Sequence, residues 1–335
     1  MSIQSFGRRD PDASFHAVSN DRSEAPGGVL TTSESSKPSS SSQPLVTVGI
    51  PVYNGERFLA RALDALLAQN LGDDLEVVIS DNASTDRTEE ICRAYASEWS
   101  NIVYSREPIN RGAAYNFNRV LALARGKYFK WNAHDDYVQD GYFDNVLPTL
   151  IAESVIGVIT PATYVDSGGE TLFDTETELP LSPWPPEPTA QACRLIRALS
   201  VGGLPAMVVA MGTYRTATLR SIRPLGNYYL ADSVMATELV LKGRVVYSAE
   251  PLLVFTRHEA SSSFKKRPDP REQQDFYDPS IKSRVIVGFQ YRRRFVESLI
   301  VIFKAEISVF DKSKVLLEML ALVEKRFLRK LNRSL

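Results

Sequence analysis

Two adjacent carboxylates, Asp135 and Asp136, follow the apolar run Tyr128-Phe129-Lys130-Trp131, with His134 just before them. Neighbouring acids at a strand end can hold a hard divalent cation through their oxygens, and Mg²⁺ or Mn²⁺ held this way keeps open positions that bridge phosphates. An Asp-Asp pair by itself is usually no more than a solvated loop. Here two other polar clusters, Tyr53-Asn54 and Asp81-Asn82, close apolar runs of the same kind. No Gly-x-Gly-x-x-Gly follows the first of those runs, and there is no Gly-x-x-x-x-Gly-Lys-Ser/Thr. A Rossmann dinucleotide site and a P-loop are therefore unsupported, and a phosphate ligand must rely on the metal and on scattered basic groups. Cys92 and Cys193 are too few for a disulfide framework or a cysteine zinc site, and read as reduced thiols of a cytoplasmic protein.

The elements that must position these groups alternate along the chain. Leu45 to Pro51 reads as a buried strand, and residues 55–70 follow with Phe58, Leu59, Ala62, Leu63, Leu66 and Leu67 on one helical face. Leu75 to Ser80 is a second strand. Asp86 and Glu89 have the spacing of a capping box, which predicts a helix over 86–98. Ile102 to Tyr104 is a third strand; residues 112–124 form a helix closed by Gly126; Lys127 to Trp131 is a fourth strand; residues 140–152 are helical; Val155 to Ile159 is a fifth strand. This β-α alternation predicts an α/β fold with a mostly parallel sheet and helices on both faces. Ligands of such sheets sit beyond the carboxyl ends of the strands, so the three polar clusters share one rim. Farther on, Ser167-Gly168-Gly169 reads as a hairpin turn, 174–190 as an acidic proline-rich loop, 231–242 as a helix closed by Gly243, and 245–247 and 252–255 as late strands.

The 335 residues are 44% apolar and 24% charged, a globular composition able to bury a sizeable core. The net charge of -1 gives no reason to expect a nucleic-acid partner. That total hides an asymmetry. Residues 281–335 carry 13 Lys/Arg and 5 Asp/Glu, residues 1–43 carry 4 and 5, and the body between them is left with a net of -8. Residues 1–43, serine-rich near their end and without apolar periodicity, read as a disordered leader. The division is thus a leader over 1–43, a catalytic domain over 44–280 and a basic helical tail over 281–335. No apolar run approaches the roughly 18 residues of a membrane span, and no signal peptide is evident.

Four segments now support a resemblance. Val48-Gly49-Ile50-Pro51-Val52-Tyr53-Asn54-Gly55-Glu56 resembles the opening of family 2 glycosyltransferases, and Ser80-Asp81-Asn82-Ala83-Ser84-Thr85-Asp86 their second nucleotide-binding segment. Asn110-Arg111-Gly112 is similar to their Asn-x-Gly, and Ala133-His134-Asp135-Asp136 stands where they carry an Asp-x-Asp metal motif. The resemblance covers about residues 45–260 and implies a GT-A fold, a nucleotide-sugar donor and inversion at the anomeric carbon. It implies that Pro51, Tyr53, Asn54, Glu56, Asp81, Asn82, Arg111, Gly112, His134 and Asp135 line the donor site, with Asp81 on the base. Asp136 would hold Mg²⁺ or Mn²⁺, joined by His258 of Arg257-His258-Glu259, which resembles the family's late Arg-His segment. His134 departs from the motif by standing at its first acid. The family places an acid at the start of a late helix, where Asp232 stands here, and the resemblance makes Asp232 the base that takes the acceptor proton. Glu238 is the weaker candidate.

The acceptor is expected to be a saccharide or a lipid-linked sugar, with Trp184, Tyr228 and Tyr229 as candidate stacking surfaces. Two readings stand for the basic tail: helices that lie peripherally on the cytoplasmic membrane face, or helices that pack on the catalytic domain or a second copy. Two other functions also stand. A sugar nucleotidyltransferase would share the α/β fold but needs a Gly-rich phosphate loop that is missing. A non-catalytic nucleotide-sugar-binding scaffold would have no reason to keep Asp81, Asp136 and Asp232.

Overall fold

The computed structural model describes residues 43–152, 154–175, 181–199, 204–259, 269–282 and 290–331. All but the last residue of the expected leader lies outside these, as does part of the 174–190 loop.

Strands β1 (Val46–Val52) and β2 (Leu75–Asp81) are buried along their whole length, which is why both read as continuous apolar runs. They pair in parallel with each other, β2 with β3 (Ile102–Arg106), and β1 with β4 (Tyr128–Trp131). Three helices make the crossovers: α1 (Leu59–Leu67), α2 (Thr88–Glu98) and α3 (Ala113–Leu123). The seven-stranded sheet is completed by β6 (Gly157–Ile159), β9 (Thr213–Arg215) and β10 (Val245–Tyr247), in the order β10-β6-β9-β4-β1-β2-β3. Only β9 runs against its neighbours, so the sheet is mostly parallel, as the alternation predicts. The order reverses beside β1, and the crevice between the ends of β1 and β4 is the switch point where such sheets bind ligands.

Two local expectations fail for physical reasons. Glu89 does not close a capping box. Its carboxylate accepts from Arg93 at 2.9 and 2.7 Å and pairs with Arg106 at 3.3 Å, so charged partners outcompete a backbone N–H. Gly126 does not cap α3. It lets the chain press against β1, where a Cβ would meet the Thr47 nitrogen at 2.4 Å and where the Gly126 N–H donates to Thr47 Oγ1 at 2.7 Å. Thr47 in turn donates to the buried Glu76 at 2.6 Å, and Arg125 reaches the same carboxylate at 2.5 Å.

A second sheet is absent from the sequence reading. It runs β5-β11-β7-β8, built from β5 (Tyr137–Val138), β7 (Ala162–Asp166), β8 (Thr171–Asp174) and β11 (Leu253–Arg257). The β7–β8 hairpin turns through Gly169 at φ +92°. The strands of the two sheets interleave in sequence, and the helices among them are α4 (Tyr142–Ala152), α5 (Pro188–Ala198), α6 (Leu204–Ala210), α7 (Thr216–Ser221) and α8 (Ala231–Lys242). Helix α8 is buried on nearly every side and packs against α5, α6 and α10 (Gln290–Lys304). The other C-terminal helices are α9 (Pro270–Tyr277) and α11 (Val309–Leu331), the latter lying on α5. Among the described residues no helix is long and apolar enough to cross a membrane.

Candidate active site

Register brings the first two polar clusters together. Val52 pairs with Asp81, and the Asn82 N–H donates to the Val52 carbonyl at 2.9 Å. Asn116 of α3 clamps both strand ends, donating to the Ser80 and Val52 carbonyls at 2.8 and 3.2 Å. Asp81 is fully buried. One oxygen accepts from the Ser84 N–H at 2.8 Å, and the other from Tyr104 at 2.9 Å and from Arg106. A carboxylate has about four acceptor positions, so Asp81 has little capacity left for a base. Asn82 is occupied as well: it donates to Asn110 and the Gly112 carbonyl and accepts from the Arg111 N–H, and so shapes the Asn110–Gly112 turn. Gly112 enters α3 at φ +85°, where a Cβ would collide with the Tyr277 carbonyl at 2.3 Å. That contact joins α3 to α9.

The loop after β1 is tied to the start of α2 by a reciprocal pair. The Glu56 N–H donates to Asp86 and the Arg87 N–H donates to Glu56, both at 3.0 Å. Asn54, in the left-handed region at φ 53°, accepts from the Thr85 N–H at 2.8 Å. Pro51 is buried, whereas Tyr53 is 42% exposed and open to a ligand. Arg111 lies over the Tyr115 ring at 3.7 Å. His134 packs on Gly55, where any side chain would meet its ring at 2.8 Å.

The acidic pair ends β4. Asp136 accepts from the Thr256 N–H at 2.9 Å, and His258 Nε2 lies 2.9 Å from Asp135 Oδ2, so both acids reach β11. Arg61 of α1 donates to the Asp135 carbonyl at 3.1 Å and to Thr256 Oγ1 at 2.6 Å. Burial and the neighbouring Asp135 charge push the Asp136 carboxyl well above the usual range. Burial is the largest single influence on Asp135 and raises its pKa, but the His258 hydrogen bond, the neighbouring histidines and a backbone hydrogen bond together outweigh it and the net direction is downward. Among the described residues no three His, Cys, Asp or Glu side chains converge as a metal cage. The donor set still suits Mg²⁺ or Mn²⁺, which are bound through one or two carboxylates plus phosphate and water, and a cation would relieve the crowding of two adjacent acids. The residues that continue the late segment after Glu259, Ala260-Ser261-Ser262, lie outside the described residues.

Asp232 lies in the first turn of α8, after Leu230 in the left-handed conformation. It is not the helix cap; its Oδ1 accepts from the Ser233 N–H at 2.9 Å. Burial raises its pKa, opposed by that bond and by Arg294 of α10. Glu238 pairs instead with Arg223 at 3.3 Å, and the same arginine meets Glu297 at 2.6 Å, so Glu238 ties α8 to α10. Trp184 donates to the Val245 carbonyl at 3.0 Å beside Tyr247, and Tyr228 is buried; both are packing residues.

Sequence reasoning missed Tyr164 of β7. Its hydroxyl is buried and has no hydrogen-bond partner among the described residues. Burial raises its pKa, the charges of Asp136 and Asp232 add to that shift, and Arg257 opposes it. The charges of Asp136 and of Asp232 on α8 thus act on one phenol. A tyrosine inside a strand reads as core, and no local signal distinguishes this one.

Residues 47–199 match the sequence profile of Glycosyl transferase family 2. That match covers less than half of the chain. The chain is 34% identical over 103 residues to the minor teichoic acid biosynthesis protein GgaB of Bacillus subtilis, an alignment covering 30% of this chain and 11% of that protein. It is 37% identical over 133 residues to an uncharacterized glycosyltransferase of Rickettsia prowazekii, covering 39% and 40%. The chain thus spans less than half the length of these relatives. Among solved structures it is similar to S. aureus TarS 1–349 in complex with UDP-GlcNAc, with a TM-score of 0.62 and 19% identity over 83% of this chain and 72% of that one. At that identity the likeness concerns the fold, which is GT-A. The family segment ends before Asp232 and His258.

Proposed function

We propose that the chain is an inverting glycosyltransferase that moves a sugar from a nucleoside-diphosphate sugar to an acceptor hydroxyl, with Asp232 as the base. The observation that carries this reading is the pairing across the rim. A crowded acidic pair, Asp135 and Asp136, stands apart from a further carboxylate of raised pKa, Asp232, and the charges of Asp136 and Asp232 both act on the buried Tyr164 hydroxyl, which has no hydrogen-bond partner among the described residues. One group of acids suits a phosphate-bridging cation, and the other suits proton abstraction. TarS, the fold neighbour, is described in complex with UDP-GlcNAc and with UDP, which supports a uridine nucleotide donor here.

In this mechanism Tyr53 and Arg111 flank the nucleotide, while Asp81 and Asn82 shape the loop beneath it. Asp136, with Asp135 and His258 beside it, would hold Mg²⁺ or Mn²⁺. When bound, the cation supplies positive charge against the departing nucleoside diphosphate. Asp232 accepts the proton as the acceptor oxygen attacks the opposite face of the sugar, and its raised pKa makes it a stronger base than an exposed carboxylate.

A panel of nucleotide sugars, incubated with Mg²⁺ or Mn²⁺ and saccharide or glycolipid acceptors, tests the reading. The expected result is release of nucleoside diphosphate that Asp232→Asn abolishes. Nucleotide binding without any turnover across the panel would leave the scaffold reading instead.

A further inference from the structure

The residue next to the base of the proposed reaction, Ser233, lines an apolar cavity. A space of about 510 Å³ lies between α5, α8, α10 and α11, within the range that holds small organic ligands. Its wall includes Ile196, Thr237, Phe295, Ile302 and Leu322. Such a lining offers almost nothing to the hydroxyls of a sugar or to a nucleotide. An open apolar space also lowers stability by leaving its lining without packing partners, so an apolar occupant is favoured.

Three features select the occupant. First, Ser233 lines the cavity, and Ser233 directly follows Asp232 in the first turn of α8, so the residue next to the base is part of the wall. Second, Arg292 and Arg294 line it too, and the Arg294 charge acts on the Asp232 carboxylate. Two guanidinium groups in the wall of an apolar space suit a phosphate attached to a hydrocarbon chain. Third, Val296 and Val323 of the lining are 51% and 44% exposed, and Leu317 and Leu320 of α11 are exposed as well. A chain held inside continues onto an apolar surface rather than into water.

We infer that this cavity holds the lipid phosphate of a lipid-linked acceptor sugar: the hydrocarbon chain lies between α8, α10 and α11, the phosphate meets Arg294, and a hydroxyl of the sugar carried on that phosphate is delivered to Asp232, which takes its proton as the oxygen bonds to the donor sugar and the nucleoside diphosphate leaves. The inference rests on the transferase reading for the role of Asp232, but the lipid site itself can be tested without turnover. It chooses the lipid-linked acceptor over a free saccharide, and it gives the C-terminal helices a share in the active site.

The test is titration calorimetry on the full chain with octyl phosphate below its micelle concentration, beside octanol, inorganic phosphate, and UDP with Mn²⁺. Octyl phosphate is expected to bind at least tenfold more tightly than either octanol or inorganic phosphate. Leu322→Trp, which fills the cavity, should weaken octyl phosphate at least tenfold and leave UDP affinity within twofold. Thr237→Leu is a smaller filling change that should act in the same direction. Arg294→Gln should weaken octyl phosphate about tenfold while octanol stays within twofold. The inference is overturned if a protein that binds UDP does not bind octyl phosphate, or if neither filling variant weakens it. It is also overturned if light scattering shows a dimer that Leu322→Trp dissociates, because the cavity would then be an interface between copies. Binding of octyl phosphate without any UDP binding would keep the lipid site and remove the transferase reading.

Discussion

His258 Nε2 and Asp135 Oδ2 lie 2.9 Å apart although 123 residues separate them in the chain. Parallel pairing of β11 with β7 and antiparallel pairing with β5 carry the end of β11 to the end of β4. If the two side chains act as a unit on the donor's phosphates, His258→Gln and Asp135→Asn should each weaken UDP binding in the presence of Mn²⁺. The double variant should lose less than the sum, with a coupling of about 0.5–3 kcal/mol. Calorimetry on the four proteins checks this. Additive losses would mean that the contact is incidental.

Asp232→Asn should cut transfer at least ~100-fold while donor affinity stays close to wild type, because the amide keeps the shape and loses the basic oxygen. The pH profile carries a second signature. Burial raises the Asp232 pKa, so the folded protein holds this proton at pH values where an exposed aspartate has lost it. The wild-type rate should therefore fall as pH drops through a value above the ordinary carboxylate range. The residual rate of the Asn variant should lack that limb. A wild-type rate that is flat down to pH 4 rejects Asp232 as the base.

The acid-bearing ends of β1, β2 and β4 were legible in the sequence because each follows a short, almost wholly apolar run, and parallel register then puts the ends side by side. The second sheet was not legible. Leu253 pairs with Ala162 and with Val138, and no local pattern encodes partners that distant. The same limit hid Tyr164, whose significance lies in what surrounds it in space. Polar side chains at motif positions also serve the fold. Asn82, Glu56 and Gly112 stand at motif positions, yet their hydrogen bonds and close contacts go to loop and helix backbone.

The burial of Asp81 makes it a structural residue whatever it touches in the donor. Asp81→Ala removes the acceptor of the Ser84 N–H, the Tyr104 hydroxyl and the Arg106 guanidinium together. Buried donors left without a partner cost about 1–3 kcal/mol each, but Arg106 is 30% exposed and can turn to water. A loss of about 3 kcal/mol in urea unfolding is expected. A variant that unfolds like wild type, and loses only nucleotide affinity, would return Asp81 to a purely ligand-binding role.

Lys130 offers a test of the core behind the site. Its side chain is buried, with its ammonium donating to the Trp131 and Met211 carbonyls at 3.1 and 2.9 Å and lying 5.2 Å from the Tyr142 ring centre. Burial pushes its pKa down to about 7, and the Asp136 charge only partly opposes this. In the unfolded chain a lysine titrates near 10.4, so between about pH 7 and 10 the unfolded state binds more protons than the folded one. Stability contributed through this group must then rise with pH, by up to ~1.4 kcal/mol per pH unit. Lys130→Met removes the titration and adds a constant change, since its lost hydrogen bonds do not depend on pH. Groups that do not sense the Lys130 charge titrate alike in both proteins and cancel in the difference, while Asp136, which loses that charge in the variant and holds its proton more strongly there, shifts the difference in the same direction. Urea unfolding at pH 7, 8 and 9 should show wild type gaining on Lys130→Met at each step. Parallel stability curves would mean that Lys130 keeps its proton in the core throughout, held by the two carbonyls, the Tyr142 ring and the Asp136 charge against the cost of burial.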